Sequence, residues 1–315
     1  MTRTVAAIDI GSNSTNLLVV DASGAQLVRE VNVTALGEGV ARTDLLSAAA
    51  IDRTLAVIRR YVDVVAQHNA ELHITGTAAC RMARNTDEFF AKVRAVTGVE
   101  PRLLSTADEA RLAWHGAVAS LPVIDGDTMV VDIGGASTEL TVGTQSAASA
   151  HSSTLTSVSL PFGVVTLTES ELHGDPPRAD ELSNAVSMVG DAVDNAIIEH
   201  LQLAGALRVV GVAGSIVTIA AVELGLREFD AARLHGMLLT KSAAEDVFRT
   251  LATERFADRV HNPGLPLERA GVIVAGCCIL VAIMRRLGLE HIVVSTRNLL
   301  DGVVAEARGT RGGES

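Results

Sequence analysis

Val5-Ala-Ala-Ile-Asp-Ile-Gly-Ser-Asn-Ser-Thr-Asn-Leu-Leu-Val-Val20 decides the reading of this chain. It returns 123 residues later as Thr128-Met-Val-Val-Asp-Ile-Gly-Gly-Ala-Ser-Thr-Glu-Leu-Thr-Val142. Both copies are an apolar run ending in Asp-Ile-Gly, a few turn-forming residues, and a second apolar run. Apolar runs bounded by Gly, Ser and Asn are strand-and-turn chemistry. The first copy therefore predicts a hairpin of strands 4–10 and 16–21 around Gly11–Ser14. The second predicts strands 128–133 and 138–142 around Gly134–Ser137.

Outward from the first hairpin, a third strand is expected at 26–34, after the Ser23-Gly24 turn. Ile51, Leu55, Ile58, Val62 and Val65 then recur at helical spacing, with Asp52, Arg53, Arg59 and Arg60 on the opposite side. Strands are expected at 72–76 and 101–104, with a helix at 87–96 between them. Ser105-Thr-Ala-Asp108 has the form of a capping box and opens a helix to about Ser120. Leu121-Pro-Val-Ile-Asp-Gly126 is the best boundary. After the second hairpin come a Ser- and Ala-rich connection, 144–157, and a strand near 158–160. The rest reads as helical with two strands: helices at 179–203, 214–225, 242–253, 269–288 and 297–307, strands at 207–212 and 291–295. A hairpin followed by strand–helix alternation, occurring twice, predicts two similar α/β domains facing one another. They are placed at 1–121 and 122–315, with the last helix, about 299–309, a candidate to pack back on the first.

Composition narrows the partners. The chain has 315 residues, 48% of them hydrophobic and only 3% aromatic, so Ala, Val, Leu and Ile must fill an ample core. A formal net charge of −11 argues against nucleic acid or an anionic membrane as partner. The cations are Arg apart from Lys92 and Lys241, which suits bidentate phosphate contacts, although codon bias in a GC-rich genome is the plainer reading. Cys80, Cys277 and Cys278 form neither a metal spacing nor a disulfide framework, and the nine histidines show no metal pattern. The Met1-Thr-Arg-Thr4 start does not read as a signal peptide, so a cytoplasmic setting is expected. The most apolar run, Ala270–Met284, spans roughly 22 Å as a helix, too short for a bilayer core; it reads as a buried helix ended by Arg285 and Arg286.

The two loops carry the chemistry. A glycine-containing turn between strands lets backbone N–H groups point at one anion. Ser12, Ser14 and Ser137 add hydroxyl donors. Asp9 and Asp132 sit where the strands end, and a carboxylate beside a phosphate calls for an intervening cation, which points to Mg²⁺, with Mn²⁺ as a substitute. Either loop alone would pass for an ordinary hairpin turn; the duplication favours phosphate binding.

Ala7-Ile-Asp-Ile-Gly-Ser-Asn-Ser14 and Asp132-Ile-Gly-Gly-Ala-Ser-Thr-Glu-Leu140 resemble the two phosphate motifs of the actin-like ATPase superfamily. More narrowly, the chain resembles the exopolyphosphatase/guanosine pentaphosphate phosphatase family. Thr77-Ala-Ala-Cys-Arg-Met-Ala-Arg-Asn85, Ser105-Thr-Ala-Asp-Glu-Ala-Arg-Leu112, Leu160-Pro-Phe-Gly-Val-Val-Thr-Leu-Thr-Glu169, Pro266-Leu-Glu-Arg-Ala270 and Ser295 extend the likeness over most of the chain. Ala136 and Thr106 stand where the family has glycine, and Asp108 where it has Glu. No residues remain for the extra C-terminal helical domain of longer members, which implies a shorter anion track.

The resemblance implies a duplicated actin-like (ribonuclease H-like) α/β fold with a cleft between two domains. It implies Mg²⁺-dependent hydrolysis of the terminal phosphoanhydride of inorganic polyphosphate, releasing orthophosphate, or of guanosine pentaphosphate, by a cytoplasmic homodimer. Glu109 takes the general-base position; without the resemblance it reads as a first-turn acid favoured by the helix dipole. Gly11, Ser12, Asn13, Ser14, Gly134, Gly135, Ala136 and Ser137 would bind phosphate, with Arg81 neutralising charge and Arg84 a weaker candidate. Asp9, Asp132 and Glu139 would serve the metal, although Glu139 alone reads as a solvated strand residue. Gly211-Val-Ala-Gly-Ser215 corresponds in place to a segment that contacts adenosine in actin-like ATPases, but the motif is weak and reads as a plain strand–helix turn. An actin-like ATPase or sugar kinase, and a catalytically silent phosphate or alarmone sensor, are the rival classes.

Overall fold

The computed structural model describes residues 3–145 and 155–309. Most of the Ser- and Ala-rich connection therefore lies outside the described residues. The elements follow in chain order: β1 Val5–Ile10, β2 Ser14–Val20, β3 Gln26–Val33, α1 Val40–Thr43, α2 Ala48–Gln67, β4 Glu71–Gly76, α3 Ala78–Met82, α4 Thr86–Thr97, β5 Arg102–Leu103 and α5 Thr106–Val118. Then come β6 Asp127–Ile133, β7 Thr138–Thr144, β8 Leu155–Leu160, α6 Val164–Glu171, α7 Ala179–Glu199, β9 Arg208–Val212 and α8 Ala213–Glu223. The remainder is α9 Ala231–Leu234, β10 Leu238–Thr240, α10 Lys241–Thr253, α11 Phe256–Arg259, α12 Ile273–Arg286, β11 His291–Val294 and α13 Leu299–Gly309.

The chain divides into two compact units. One runs to Gly116 and takes back the segment from Leu299 onward; the other is Ala117–Asn298. The division thus falls near the end of α5, ahead of the Leu121–Gly126 turn, because α5 packs on the first sheet and Ser295, in the second unit, donates its hydroxyl to the Ala117 carbonyl at 3.1 Å.

The first sheet runs β3-β2-β1-β4-β5, with the β1–β2–β3 meander antiparallel and β4 and β5 added parallel to β1. The second repeats this order as β8-β7-β6-β9-β11 and adds β10 antiparallel to β11 at its edge, a strand that the sequence pattern does not predict. The expected long helices are shorter: α7 ends at Glu199 before a 3₁₀ turn, and α12 starts at Ile273 after one. In α12, every residue from Ile273 to Met284 is buried, so it is the centre of the second unit's core.

Both faces of β1 are covered. Ala6, Ile8 and Ile10 point to the core under α2 and α4, while Val5 and Ala7 point to the core under α5 and α13. Strand alternation puts Asp9 on this second face, the side on which α5 packs. α13 crosses α5 closely: a Cβ on Gly302 would overlap the Leu112 carbonyl. Salt bridges from Arg102 and Arg111 to Glu306, and from Arg29 to Asp301, hold it there. Among the described residues, no helix is long and apolar enough to cross a membrane.

Candidate active site

The tips of the two hairpins are built alike. Gly11 N–H donates to the Ser14 carbonyl at 2.9 Å, and Gly134 N–H donates to the Ser137 carbonyl at 3.0 Å. In the first unit the loop carbonyls turn away from the tip: that of Ser12 accepts from Gly37 N–H, and that of Asn13 from the N–H groups of Thr34 and Ala35. In the second, the start of α6 does this work. Val164 N–H donates to Gly134 O, Val165 N–H to Gly135 O, and the Thr166 hydroxyl to Ala136 O at 3.1 Å. With their carbonyls held from behind, peptide units present N–H groups on the other side. Among the described residues, the N–H groups of Ser12, Asn13, Gly135, Ala136 and Ser137 donate to no protein acceptor. Ala136 keeps a negative φ, so it replaces glycine there without backbone strain.

The first unit brings together Asp9, the Gly11–Ser14 loop, Arg81 and Glu109. Asp9 is 8% exposed, and Thr75 of the neighbouring strand β4 donates its hydroxyl to Oδ1 at 3.2 Å. Burial, then the negative charge of Glu109, push the Asp9 carboxyl up to about 7, against hydrogen bonds from Thr75 and Asn16. Glu109 lies in the first turn of α5. The capping box forms as expected, with Asp108 N–H donating to Ser105 Oγ at 3.1 Å and Ser105 Oγ–H to the Asp108 carboxylate, which leaves Glu109 to point elsewhere. Its Oε2 accepts from Arg81 Nη1 at 2.5 Å, and the same Nη1 donates to the Leu104 carbonyl. Burial raises the Glu109 pKa, and the Arg81 ion pair opposes the rise. Arg81 therefore orients the carboxylate as well as supplying positive charge. Arg84 instead pairs with Asp44 on the surface. Ser12 is buried, and its Oγ accepts from Ala79 N–H at the start of α3, tying the loop to the helix that carries Arg81. Burial also pushes the Cys80 thiol up to about 12, which leaves it no nucleophilic character near neutral pH.

The second unit brings together Asp132, the Gly134–Ser137 loop and Glu139. Asp132 and Glu139 are direct partners across β6 and β7, so their side chains share one face. Glu139 is only 3% exposed, in contrast to the solvated strand residue its alternation suggests. Its Oε1 accepts from Ser137 Oγ at 2.6 Å and from Ser159 Oγ of β8 at 3.0 Å. Gly163, just before α6, packs on the loop so closely that a Cβ would overlap Gly135 and Ala136 backbone atoms.

Among the described residues, no group of three or more His, Cys, Asp or Glu side chains is arranged to hold a metal ion. Mg²⁺ commonly takes one or two carboxylates and completes its shell with water and substrate oxygens. Asp9 in the first unit, and the cross-strand partners Asp132 and Glu139 in the second, are hard-oxygen donors of that kind. At Gly211–Ser215, Ala213 adopts a left-handed φ of 66° and the Arg269 guanidinium lies directly over Gly214, where burial lowers its pKa.

The residues that sequence reasoning passed over are the braces: Thr34, Ala35 and Gly37 behind the first loop, Gly163 and Thr166 behind the second, and Ser159 beside Glu139. The Leu160–Glu169 likeness covers Gly163 and Thr166, but nothing in their residue types indicates which backbone atoms they meet.

The sequence model of the Ppx/GppA phosphatase family matches residues 18–310. Exopolyphosphatase 2 of Mycobacterium tuberculosis is 32% identical, over 97% of this chain and 98% of its own length. A crystal structure described as an exopolyphosphatase-like protein superposes with a TM-score of 0.90 at 28% identity, covering 97% of this chain and 98% of that one. The Ppx/GppA family member of Aquifex aeolicus gives a TM-score of 0.78 at 27% identity, covering 99% of both chains.

Proposed function

Since the chain belongs to the Ppx/GppA phosphatase family, and is a phosphatase with its duplicated actin-like fold, we propose that its substrate is inorganic polyphosphate and its reaction Mg²⁺-dependent release of the terminal phosphate. The observation that carries this reading is the Asp9–Glu109–Arg81 constellation beside the first loop: a half-buried carboxylate with a raised pKa, aimed by an arginine, next to amides without protein acceptors. The exopolyphosphatase name of the Mycobacterium tuberculosis relative supports the choice of substrate.

In this mechanism the amides of Ser12 and Asn13, with Ser14 as a further donor, bind phosphoryl oxygens in the first unit, and those of Gly135, Ala136 and Ser137 do so in the second. Glu109 accepts a proton from a water, whose oxygen attacks the terminal phosphorus in line. A new P–O bond forms as the bridging P–O bond breaks, and the electron pair leaves on the oxygen of the shortened chain. Orthophosphate is released, and Glu109 returns its proton to solvent or product. The Arg81 ion pair keeps the Glu109 carboxylate oriented. Asp9 in the first unit, and Asp132 with Glu139 in the second, are the carboxylates that would serve Mg²⁺, whose positive charge would offset the negative charge of the phosphate chain.

The test is phosphate release from polyphosphate, guanosine pentaphosphate and ATP assayed side by side, with Mg²⁺ and with chelator. Release from polyphosphate that requires Mg²⁺ is expected. Release from guanosine pentaphosphate alone would reassign the substrate, and no release from any of the three would leave a binding protein.

A further inference from the structure

The two loops are fastened by different means at one equivalent point. Asn13 and Ala136 occupy the same place in the repeat. The Asn13 carbonyl is held by two backbone N–H groups, from Thr34 at 3.0 Å and Ala35 at 2.9 Å. No backbone donor reaches the Ala136 carbonyl among the described residues; the Thr166 hydroxyl does, at 3.1 Å. The same oxygen accepts from Gly163 N–H at 2.9 Å. Thr166 thus links the loop to Gly163, the residue before α6, through one atom, which also lies 3.2 Å from the Gly163 carbonyl. Its neighbours Val164 and Val165 hold Gly134 and Gly135 by main-chain bonds that any residue would make. The Ala136 bond alone depends on a side chain.

We propose that Thr166 is a positioning residue of the second loop, fixing the rotation of the Ala136–Ser137 peptide so that the Ser137 N–H joins those of Gly135 and Ala136 in facing the phosphoryl oxygens. A carbonyl released from Thr166 can rotate toward the tip, where it opposes the anion that those amides bind. The consequence for catalysis rests on the polyphosphate reading; the consequence for phosphate binding does not.

Two substitutions in the full chain separate orientation from packing. Thr166→Val keeps the shape and removes the hydroxyl. Thr166→Ser keeps the hydroxyl and removes a methyl group. The expectation for Thr166→Val is a rise of about tenfold in KM for polyphosphate, the scale of one lost hydrogen bond, with kcat changed less than about threefold. The orthophosphate-induced shift of the Ser137 amide resonance should shrink, while those of Ser12 and Asn13 persist. Thr166→Ser should restore both readouts. A packing role predicts the reverse order, with Ser the worse variant and each defect tracking lost thermal stability. That order, or wild-type KM and amide shifts in Thr166→Val, would overturn the proposal. If the wild type releases no phosphate from polyphosphate, the functional reading fails, and the orthophosphate shifts still decide the role of Thr166.

Discussion

At the scale of single residues, Asp9 and Glu109 carry one sign of charge, and the charge of Glu109 helps raise the Asp9 pKa. Glu109→Gln removes the basic oxygen and little volume. Polyphosphate hydrolysis should fall by about 10²- to 10⁴-fold while KM and the circular dichroism spectrum stay near wild type; near-normal turnover would dismiss Glu109 as the base. Asp9 makes a separate prediction about stability. Its carboxyl titrates near 7 in the folded chain and near 3.8 in the unfolded one. The folded state binds that proton more tightly, so the associated stability is complete below about pH 4 and is lost as the pH rises through 7. The loss amounts to about 4 kcal/mol at most. Asp9→Asn should therefore be more stable than wild type at pH 8 in chelator, by a margin that shrinks toward pH 4, and added Mg²⁺ should narrow it. Urea unfolding across that range checks this; a margin independent of pH would refute it. Asp9 and Glu109 were legible as candidates because of the repeat, the capping box and the family likeness. The Arg81–Glu109 pair was not, because it joins side chains from different helices and depends on packing that spacing does not encode.

At the scale of elements, the hairpins could be read almost to the residue, since turn chemistry and apolar runs are local signals. The short helix α6 was invisible: Val164, Val165, Thr166 and Thr168 are β-branched and favour strands. It forms because its first N–H groups find the carbonyls of the second loop, a tertiary contact. Gly163 marks the tightest point. Its φ of −125° is open to any residue, so the constraint there is steric rather than conformational. Gly163→Ala should cost about 1–3 kcal/mol through overpacking and raise KM for polyphosphate, because the added methyl displaces Gly135 and Ala136. A variant with wild-type melting temperature and KM would mean that the loop moves aside freely. The strand β10 escaped notice for a related reason: three residues, Leu238–Thr240, are too few for alternation to register, and only the exposed edge of β11 makes a strand of them.

At the scale of the whole molecule, the duplicated sheet order follows from the duplicated sequence, but the membership of the last helix does not. Periodicity marks α13 as amphipathic without indicating which apolar face it covers. In the structure Leu299, Leu300, Val303 and Val304 are buried against Val5, Ala7, Leu18 and Val20 of the first unit. At roughly 2 kcal/mol for each of the four side chains, this contact is comparable to the whole net stability of a typical domain. A fragment ending at Gly116 should therefore be unfolded or aggregated, and should regain dispersed amide resonances when 299–309 is joined to it through a flexible linker. A well-folded fragment lacking α13 would contradict this.

The return of α13 also sets an order of events during synthesis. The first unit is translated first, yet the face of its sheet that α5 shares with α13 stays only partly covered until residues 299–309 have left the ribosome. The second unit has all of its own elements by Asn298 and can fold before the first is finished. For most of its time as a nascent chain, then, the protein exposes Val5, Ala7, Leu18 and Val20, and that strip is where a holdase would be expected to bind.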